Sequence, residues 1–194
     1  MKLILIRHGE STYNKFNREN PQKRVFTGQF DTPLTEKGRQ QARQLQQFHS
    51  LKSVETVYAS TLSRAFETAY LATSRNDILL DDRLKERSLG TLEGQSLADL
   101  TEFCATLPSD FTHSFQAKAP GGENYTDVLQ RMQAFFYDYW HNDMAIFSHQ
   151  GCIRTMMMHL MNLTEDETLR LHIPNCRPIV LEGETVGKFI HKNE

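Results

Sequence analysis

An apolar run at positions 3–6, Leu-Ile-Leu-Ile, ends directly in Arg7, His8 and Gly9. The run is short and rich in branched side chains, which predicts a buried strand. Gly9 allows the backbone to turn away where that strand ends. In α/β proteins, ligands bind in the crevice beyond the carboxyl ends of parallel strands. An arginine fork suits phosphate and a neutral imidazole is a nucleophile, although such a pair taken alone is more often solvated surface.

A second apolar run, at positions 144–147, ends in a similar way, with His149 followed closely by Gly151. A helix is predicted directly after it, over 153–161. A histidine between a strand and a helix N-terminus lies where backbone N–H groups and the helix dipole favour a bound anion. The alternative is a histidine held by hydrogen bonds in a packed turn. We favour the anion site because both histidines would open onto the same crevice.

Further strands alternate with helices along the chain. Strands are predicted over 54–59 and 78–80, and a terminal hairpin around Gly183 is predicted from strands over 179–181 and 186–191. This order of elements predicts an α/β protein whose central sheet is mainly parallel.

The helices are predicted from caps and from apolar residues at helical spacing. Thr35, Ser60 and Thr164 are each placed to cap a helix. The expected buried stripes are Ala42, Leu45 and Phe48; Leu62, Ala65, Phe66, Ala69 and Ala72; and, in a helix over 123–141, Val128, Met132, Phe135, Phe136 and Tyr139.

Two segments lack a clear period. Residues 12–30 are polar, which predicts a surface segment over the end of the first strand. In residues 96–122, Leu97, Leu100 and Phe103 suggest a helix, and the rest is irregular. We expect residues 96–122 to form a lid or wall beside the crevice.

Two charged residues fall where they can reach this crevice. Arg64 lies in the first turn of the helix that Ser60 can cap. Helical side chains lean toward the helix N-terminus, so its guanidinium should point toward His8. Glu86 lies in the charged run 81–87 that follows the third strand. On their own, Arg64 is as easily plain helix surface, and a charged run such as 81–87 is normally a solvated loop.

Composition limits the class of protein. The chain has 194 residues, 39% hydrophobic and 24% charged, with a net charge of −2. These values are typical of a soluble globular protein, and we expect residues 1–194 to form one domain. The charge offers no large surface for nucleic acid or an anionic membrane, and the absence of a leader or a spanning segment favours the cytoplasm. Neither a disulfide framework nor a zinc site is indicated by Cys104, Cys152 and Cys176.

Six ordered blocks, covering nearly the whole chain, together resemble the histidine phosphatase superfamily, the phosphoglycerate mutase-like group. The first block, Leu-Ile-Arg-His-Gly-Glu-Ser-Thr-Tyr-Asn, surrounds His8, and the last, Ser-His-Gln-Gly, surrounds His149. The blocks lie at 5–14, 26–42, 60–69, 84–94, 120–123 and 148–151.

The resemblance implies a role for each residue that matches the family's motifs. His8 would be the nucleophile that becomes phosphorylated, and Glu86 would protonate the leaving oxygen and then help activate water. Cations around the nucleophile suit phosphoryl transfer, where the protein mainly positions groups and stabilises charge. They would also lower the pKa of His8 and keep it neutral. The phosphate-binding residues would be Arg7, Asn14, Arg64, His149 and Gln150, and possible substrate contacts are Ser11, Thr27, Gly28 and Gln29.

Three departures bear on the activity. Gln150 stands where family members usually have Gly, Ala or Asn, which could alter contacts near the phosphate. Residues 96–119 contain no arginine, whereas the mutases resemble one another in carrying a longer insertion with paired arginines for the substrate carboxylate. Gln29 stands where mutases typically have an aromatic residue. The second and third departures favour a phosphatase over a mutase.

We therefore expect a three-layer α/β/α sandwich with a mainly parallel central sheet. The expected activity is hydrolysis of a small phosphorylated metabolite, such as a sugar phosphate, through a phosphohistidine, with no cofactor or metal and no nucleic-acid or membrane partner. Two alternatives stay open: a phosphoglycerate mutase, and a catalytically weak protein that binds phosphorylated ligands. The oligomeric state, monomer or homodimer, is left open as well.

Overall fold

A five-stranded sheet lies at the centre of the computed structural model, which describes residues 1–96, 114–140 and 143–183. The strands stand in the order β3-β2-β4-β1-β5. The first four are mutually parallel, and β5 pairs antiparallel with β1. Their bounds are β1 Lys2–Arg7, β2 Thr56–Ser60, β3 Leu79–Asp81, β4 Met144–Ser148 and β5 Ile179–Glu182.

Both faces of the sheet are covered, as the unbroken apolar run of β1 requires. Side chains alternate along a strand, so alternate residues of that run point into different cores. Leu3 and Leu5 pack in one core with Met132 and Ile153, and Ile4 and Ile6 pack in the other with Val57 and Phe147. The expected three-layer α/β/α sandwich with a mainly parallel sheet is confirmed.

The helices supply the outer layers. The helices that precede and follow β4 pack in the core that contains Leu3 and Leu5. The helix that follows β2 packs in the core that contains Ile4 and Ile6. Thr35 and Thr164 cap their helices as predicted. The helices are α1 Thr12–Glu19, α2 Glu36–Gln44, α3 Ser63–Thr73, α4 Tyr125–Tyr139, α5 Gln150–Met161 and α6 Glu165–Arg170.

The start of α3 differs from the prediction. Ser60 does not cap it: the helix begins at Ser63, and Ser60 Oγ instead accepts a hydrogen bond from the Leu62 N–H at 3.2 Å. The side chain of Asp31 accepts from the Ser63 N–H at 3.0 Å, so the cap comes from a distant segment. Phe66 was expected in the buried stripe but is 41% exposed, because the face toward the core is taken by small residues and Arg64.

Helix α1 was not predicted. It carries a capping box in which Ser11 and Asn14 bond each other's backbone N–H groups. None of its residues is buried. It therefore has no apolar stripe by which residues 12–30 could be recognised as partly helical, although the segment does lie on the surface.

Some sequence predictions lie outside the described residues. These are the helix suggested at positions 97–103, most of the lid predicted over 96–122 and the second strand of the terminal hairpin at 186–191. That 1–194 form one domain stays a prediction. Within the described ranges no helix is long and apolar enough to cross a membrane.

Candidate active site

His8 follows β1 and is held at both its backbone and its ring. Its N–H donates to the Ser148 carbonyl at 3.0 Å, and the side chain is almost fully buried. Its Nδ1 lies 2.7 Å from the Gly9 carbonyl. A carbonyl oxygen only accepts, so Nδ1 must carry the hydrogen and Nε2 keeps the lone pair of a neutral ring. Burial, with the charges of Arg64 and Arg7, lowers the pKa of His8 well below its usual range.

His149 lies beside His8, at the end of β4 and the start of α5. The two ring centroids are 5.1 Å apart and the rings are tilted by 56°. Its Nε2 is 2.9 Å from Ser60 Oγ, whereas its Nδ1 is buried without a hydrogen-bond partner in the described part of the chain. Burial and the nearby Arg64 hold the pKa of His149 well below its usual range. An orphaned buried nitrogen of this kind is available to a ligand.

Arg64 is 1% exposed and lies in the first turn of α3, as predicted. Its Nη1 donates to the Phe30 carbonyl at 3.0 Å and its Nη2 to the Gly28 carbonyl at 2.9 Å. These two neutral acceptors fix the guanidinium without neutralising it. Its charge is felt at both His8 and His149.

Arg7, the last residue of β1, is oriented by two hydrogen bonds. Its Nη1 donates to Gln150 Oε1 at 2.7 Å and to the Ile173 carbonyl at 2.8 Å. Its Nε is buried and has no hydrogen-bond partner in the described ranges. Gln150 therefore orients Arg7 through its amide oxygen; direct contact of Gln150 with phosphate stays a prediction.

The side chain of Glu86, which follows β3 in the chain, lies against the N-terminus of α5. Its carboxylate accepts the Gly151 N–H, at 3.0 Å to Oε1 and 3.2 Å to Oε2, and the Arg87 N–H at 2.9 Å. A Cβ atom on Gly151 would lie 2.4 Å from Glu86 Oε1. A glycine at position 151 is thus required for the Glu86 carboxylate to lie against the backbone at the N-terminus of α5.

Two other carboxylates, those of Glu10 and Glu93, form hydrogen bonds with neighbouring segments. Glu10 accepts hydrogen bonds from Arg18, Thr35 and Lys37. Glu93 accepts from the backbone N–H groups of two loop residues, 29 and 89. Glu10 and Glu93 are therefore held by partners other than the N-terminus of α5.

The remaining residues predicted to contact substrate make hydrogen bonds to the segments around Arg64 and Glu86 or within their own loops. Asn14 Oδ1 accepts from the Ser11 N–H at 3.2 Å, which leaves the Asn14 amide nitrogen as a donor. Ser11 Oγ caps α1, and the Gly28 carbonyl holds Arg64. Gln29 Nε2 donates to the Glu86 carbonyl at 3.0 Å. The Thr27 carbonyl accepts from a loop N–H at 2.9 Å.

Asn175 is a residue of the site that the sequence did not reveal. Its Nδ2 donates to the His8 carbonyl at 2.7 Å and lies 3.4 Å from Asn14 Oδ1. The neighbouring Cys176 N–H donates to the Arg7 carbonyl at 2.9 Å. Residues 173–176 thus brace the nucleophile from a loop more than a hundred positions away, and no motif marks that loop.

The guanidinium groups of Arg7 and Arg64 and the ring of His149 thus accompany a neutral imidazole, and donors of this kind suit a phosphate group. The family model of the histidine phosphatase superfamily (branch 1) matches residues 3–193. The chain therefore belongs to the histidine phosphatase superfamily, and it is an enzyme of the phosphatase class.

Its relatives carry the names of two activities. A 2,3-bisphosphoglycerate-dependent phosphoglycerate mutase of Parvibaculum lavamentivorans is 30% identical, over 98% of this chain and 94% of its own length. The corresponding mutase 2 of Gloeobacter violaceus is 29% identical, over 96% and 88%. The crystal structure of the α-ribazole phosphatase of Shigella flexneri matches with a TM-score of 0.80 and 27% identity, over 94% of this chain and 90% of that one.

The neutral histidines predict how stability depends on pH. A histidine whose pKa is lowered by folding binds fewer protons in the folded state than in the unfolded chain below about pH 6.5. The free energy of unfolding should therefore fall as the pH drops below that value, by up to about 1.4 kcal/mol per pH unit for each such histidine. Urea unfolding over a series of pH values measures this slope.

His8→Asn should make that profile shallower, because the variant no longer takes up a proton at position 8 on unfolding. The same substitution at exposed His49 is the matched control and should leave the slope unchanged. A slope as steep in His8→Asn as in the native protein would show that His8 is already protonated when folded.

Proposed function

We propose that this enzyme hydrolyses phosphomonoesters of small metabolites, such as sugar phosphates, through a phosphohistidine at Nε2 of His8. The observation that carries the proposal is the hydrogen bond from His8 Nδ1 to the Gly9 carbonyl, which leaves Nε2 with its lone pair. In the first step Nε2 attacks phosphorus and the bond to the ester oxygen breaks. In the second step water attacks phosphorus, the P–N bond breaks and inorganic phosphate leaves.

Arg7, Arg64 and His149 would stabilise the charge on the transferred group. Phosphoryl transfer spreads negative charge over three equatorial oxygens, so fixed donors around phosphorus lower the barrier. Both guanidinium groups are already oriented by carbonyl oxygens, so little reorganisation is needed when substrate binds. The amide nitrogen of Asn14 is a further donor.

Glu86 would supply the proton that the leaving oxygen takes up and would then accept a proton from the attacking water. The position of the carboxylate supports this role, because it accepts a hydrogen bond from the N–H of Gly151, two residues after His149. Its negative charge also acts on both Arg7 and Arg64, which supports a position near the two phosphate-binding guanidinium groups.

We favour hydrolysis over mutase chemistry for three reasons. Residues 96–119 contain no arginine that could hold a substrate carboxylate. Gln29 is turned onto the Glu86 backbone. The α-ribazole phosphatase likeness supports the same choice, whereas the names of the curated relatives favour the mutase as the second candidate. A location in the cytoplasm is part of this proposal.

The first test compares hydrolysis with isomerisation. A mutase must keep its bisphosphorylated intermediate and exclude water while the phosphoryl group returns. We expect hydrolysis of a panel of sugar, nucleoside and glycerol phosphates to outpace isomerisation of 3-phosphoglycerate primed with the bisphosphate. His8→Ala should lose activity by about a thousandfold or more. Faster isomerisation would make the mutase the function, and unchanged turnover in His8→Ala would show that His8 is not the nucleophile.

The second test isolates Glu86 through the leaving group. An alkoxide from a sugar or glycerol phosphate needs a proton to depart, whereas p-nitrophenolate departs with little help. Glu86→Gln keeps the shape but removes the transferable proton. It should slow the first step with alkyl phosphates by about 10²–10⁴-fold and with p-nitrophenyl phosphate much less, with a burst of p-nitrophenol and accumulation of phosphoenzyme. Equal losses on both substrates and no burst would rule out the acid role.

A further inference from the structure

The segment that carries Glu86 is fastened by side chains. The carbonyls of residues 83–86 all accept hydrogen bonds from side chains that belong to other elements. Ser148 Oγ donates to the Leu84 carbonyl at 2.8 Å, and Cys152 Sγ donates to the Lys85 carbonyl at 2.6 Å. Arg131 of α4 takes the first and last carbonyls of the set, those of Arg83 and Glu86.

Arg131 is itself oriented by a carboxylate. Its Nε and Nη2 lie 2.8 Å and 3.0 Å from the two oxygens of Glu123, and both side chains are largely buried. Its Nη2 also donates to the Glu86 carbonyl at 3.1 Å. Glu123 Oε2 accepts from the Ser88 N–H at 2.8 Å, and the Glu123 N–H donates to the Ser88 carbonyl at 2.8 Å. The pair therefore holds the chain on both sides of Glu86.

We propose that Arg131, oriented by Glu123, is a positioning residue for the acid Glu86. The inference rests on the proposed function, since it assigns Arg131 a purpose only if Glu86 transfers the proton. Arg131 and Gln29 both donate hydrogen bonds to the backbone carbonyl of Glu86 and so fix its backbone. From this fixed backbone the Glu86 carboxylate accepts the Gly151 N–H. A displacement of about 1 Å between reacting groups costs about 10²-fold in rate, even when the change lies away from the chemistry.

Position 131 requires the planar shape of an arginine side chain and not only its charge. The planar guanidinium spans the two carboxylate oxygens of Glu123 and two backbone carbonyls three positions apart in the chain, those of residues 83 and 86. A lysine ammonium is a compact point charge that cannot span the same set. Arg131→Lys therefore keeps the charge and removes the clamp.

The test measures first-turnover rates with glycerol phosphate and with p-nitrophenyl phosphate. Arg131→Lys should lower the rate with glycerol phosphate by about 10²-fold and the rate with p-nitrophenyl phosphate much less, in the same pattern as Glu86→Gln. Glu123→Gln should likewise slow glycerol phosphate more than p-nitrophenyl phosphate, which changes the ratio of the two first-turnover rates. This variant tests the proposal if Arg131→Lys does not fold. Lys118→Gln is the matched control, because it removes an ion pair to Asp127 of the same helix at 2.7 Å, and it should leave the ratio unchanged.

The double variant Arg131→Lys with Glu86→Gln should be little slower than Glu86→Gln alone, because the clamp then positions a group that transfers no proton. Equal losses on both substrates in Arg131→Lys and Glu123→Gln, or a full further loss in the double variant, would show a structural role and overturn the proposal. If Glu86→Gln is selective and the clamp variants are not, only the positioning role fails. If Glu86→Gln is itself unselective, the acid assignment fails and the positioning role falls with it.

Discussion

The site depends on the parallel pairing of β1 with β4. Arg7 stands opposite Ser148 in the register, and the His8 N–H continues the ladder by donating to the Ser148 carbonyl. Because both strands run in the same direction, the residues that follow them, His8 and His149, leave the sheet at one edge. A slip of one residue would turn one of the two histidines to the opposite face.

Charge is the second constraint. Arg64 is fully buried, and its two donors are held by carbonyl oxygens; Asp31, 3.9 Å away, is half exposed. Arg7 is held likewise by an amide and a carbonyl. Burying a charge against neutral partners is costly, and an anionic ligand between the two guanidinium groups would offset that cost. Burial, together with the same two charges, lowers the pKa of His8 and keeps its ring neutral.

The sequence was informative where a function needs a particular residue at a strand end. The expectation that His8, Arg64, Glu86 and His149 share one crevice follows from strand ends and from the direction of a helical side chain, and the structure brings these side chains together. Their catalytic roles stay predictions. The fold class followed from the alternation of elements and from the family's motifs.

Features that depend on distant contacts could not be predicted. Helix α1 has no buried residue and so no period, and the start of α3 is capped by Asp31 from another segment. Asn175 contacts His8 from the far end of the chain, and Arg131 contacts the Glu86 carbonyl from a helix predicted only for its apolar stripe. Each is an ordinary polar residue locally, and only its tertiary contact gives it a purpose.

The central claim is that the Gly9 carbonyl holds the hydrogen of His8 on Nδ1 and so directs chemistry to Nε2. Rapid quenching of the enzyme with a labelled phosphomonoester, followed by peptide mapping and spectroscopic assignment of the phosphorylated nitrogen, tests it directly. The account predicts an acid-labile phosphoryl group on Nε2 of His8. Label on Nδ1 of His8, on His149 or on a serine would contradict it.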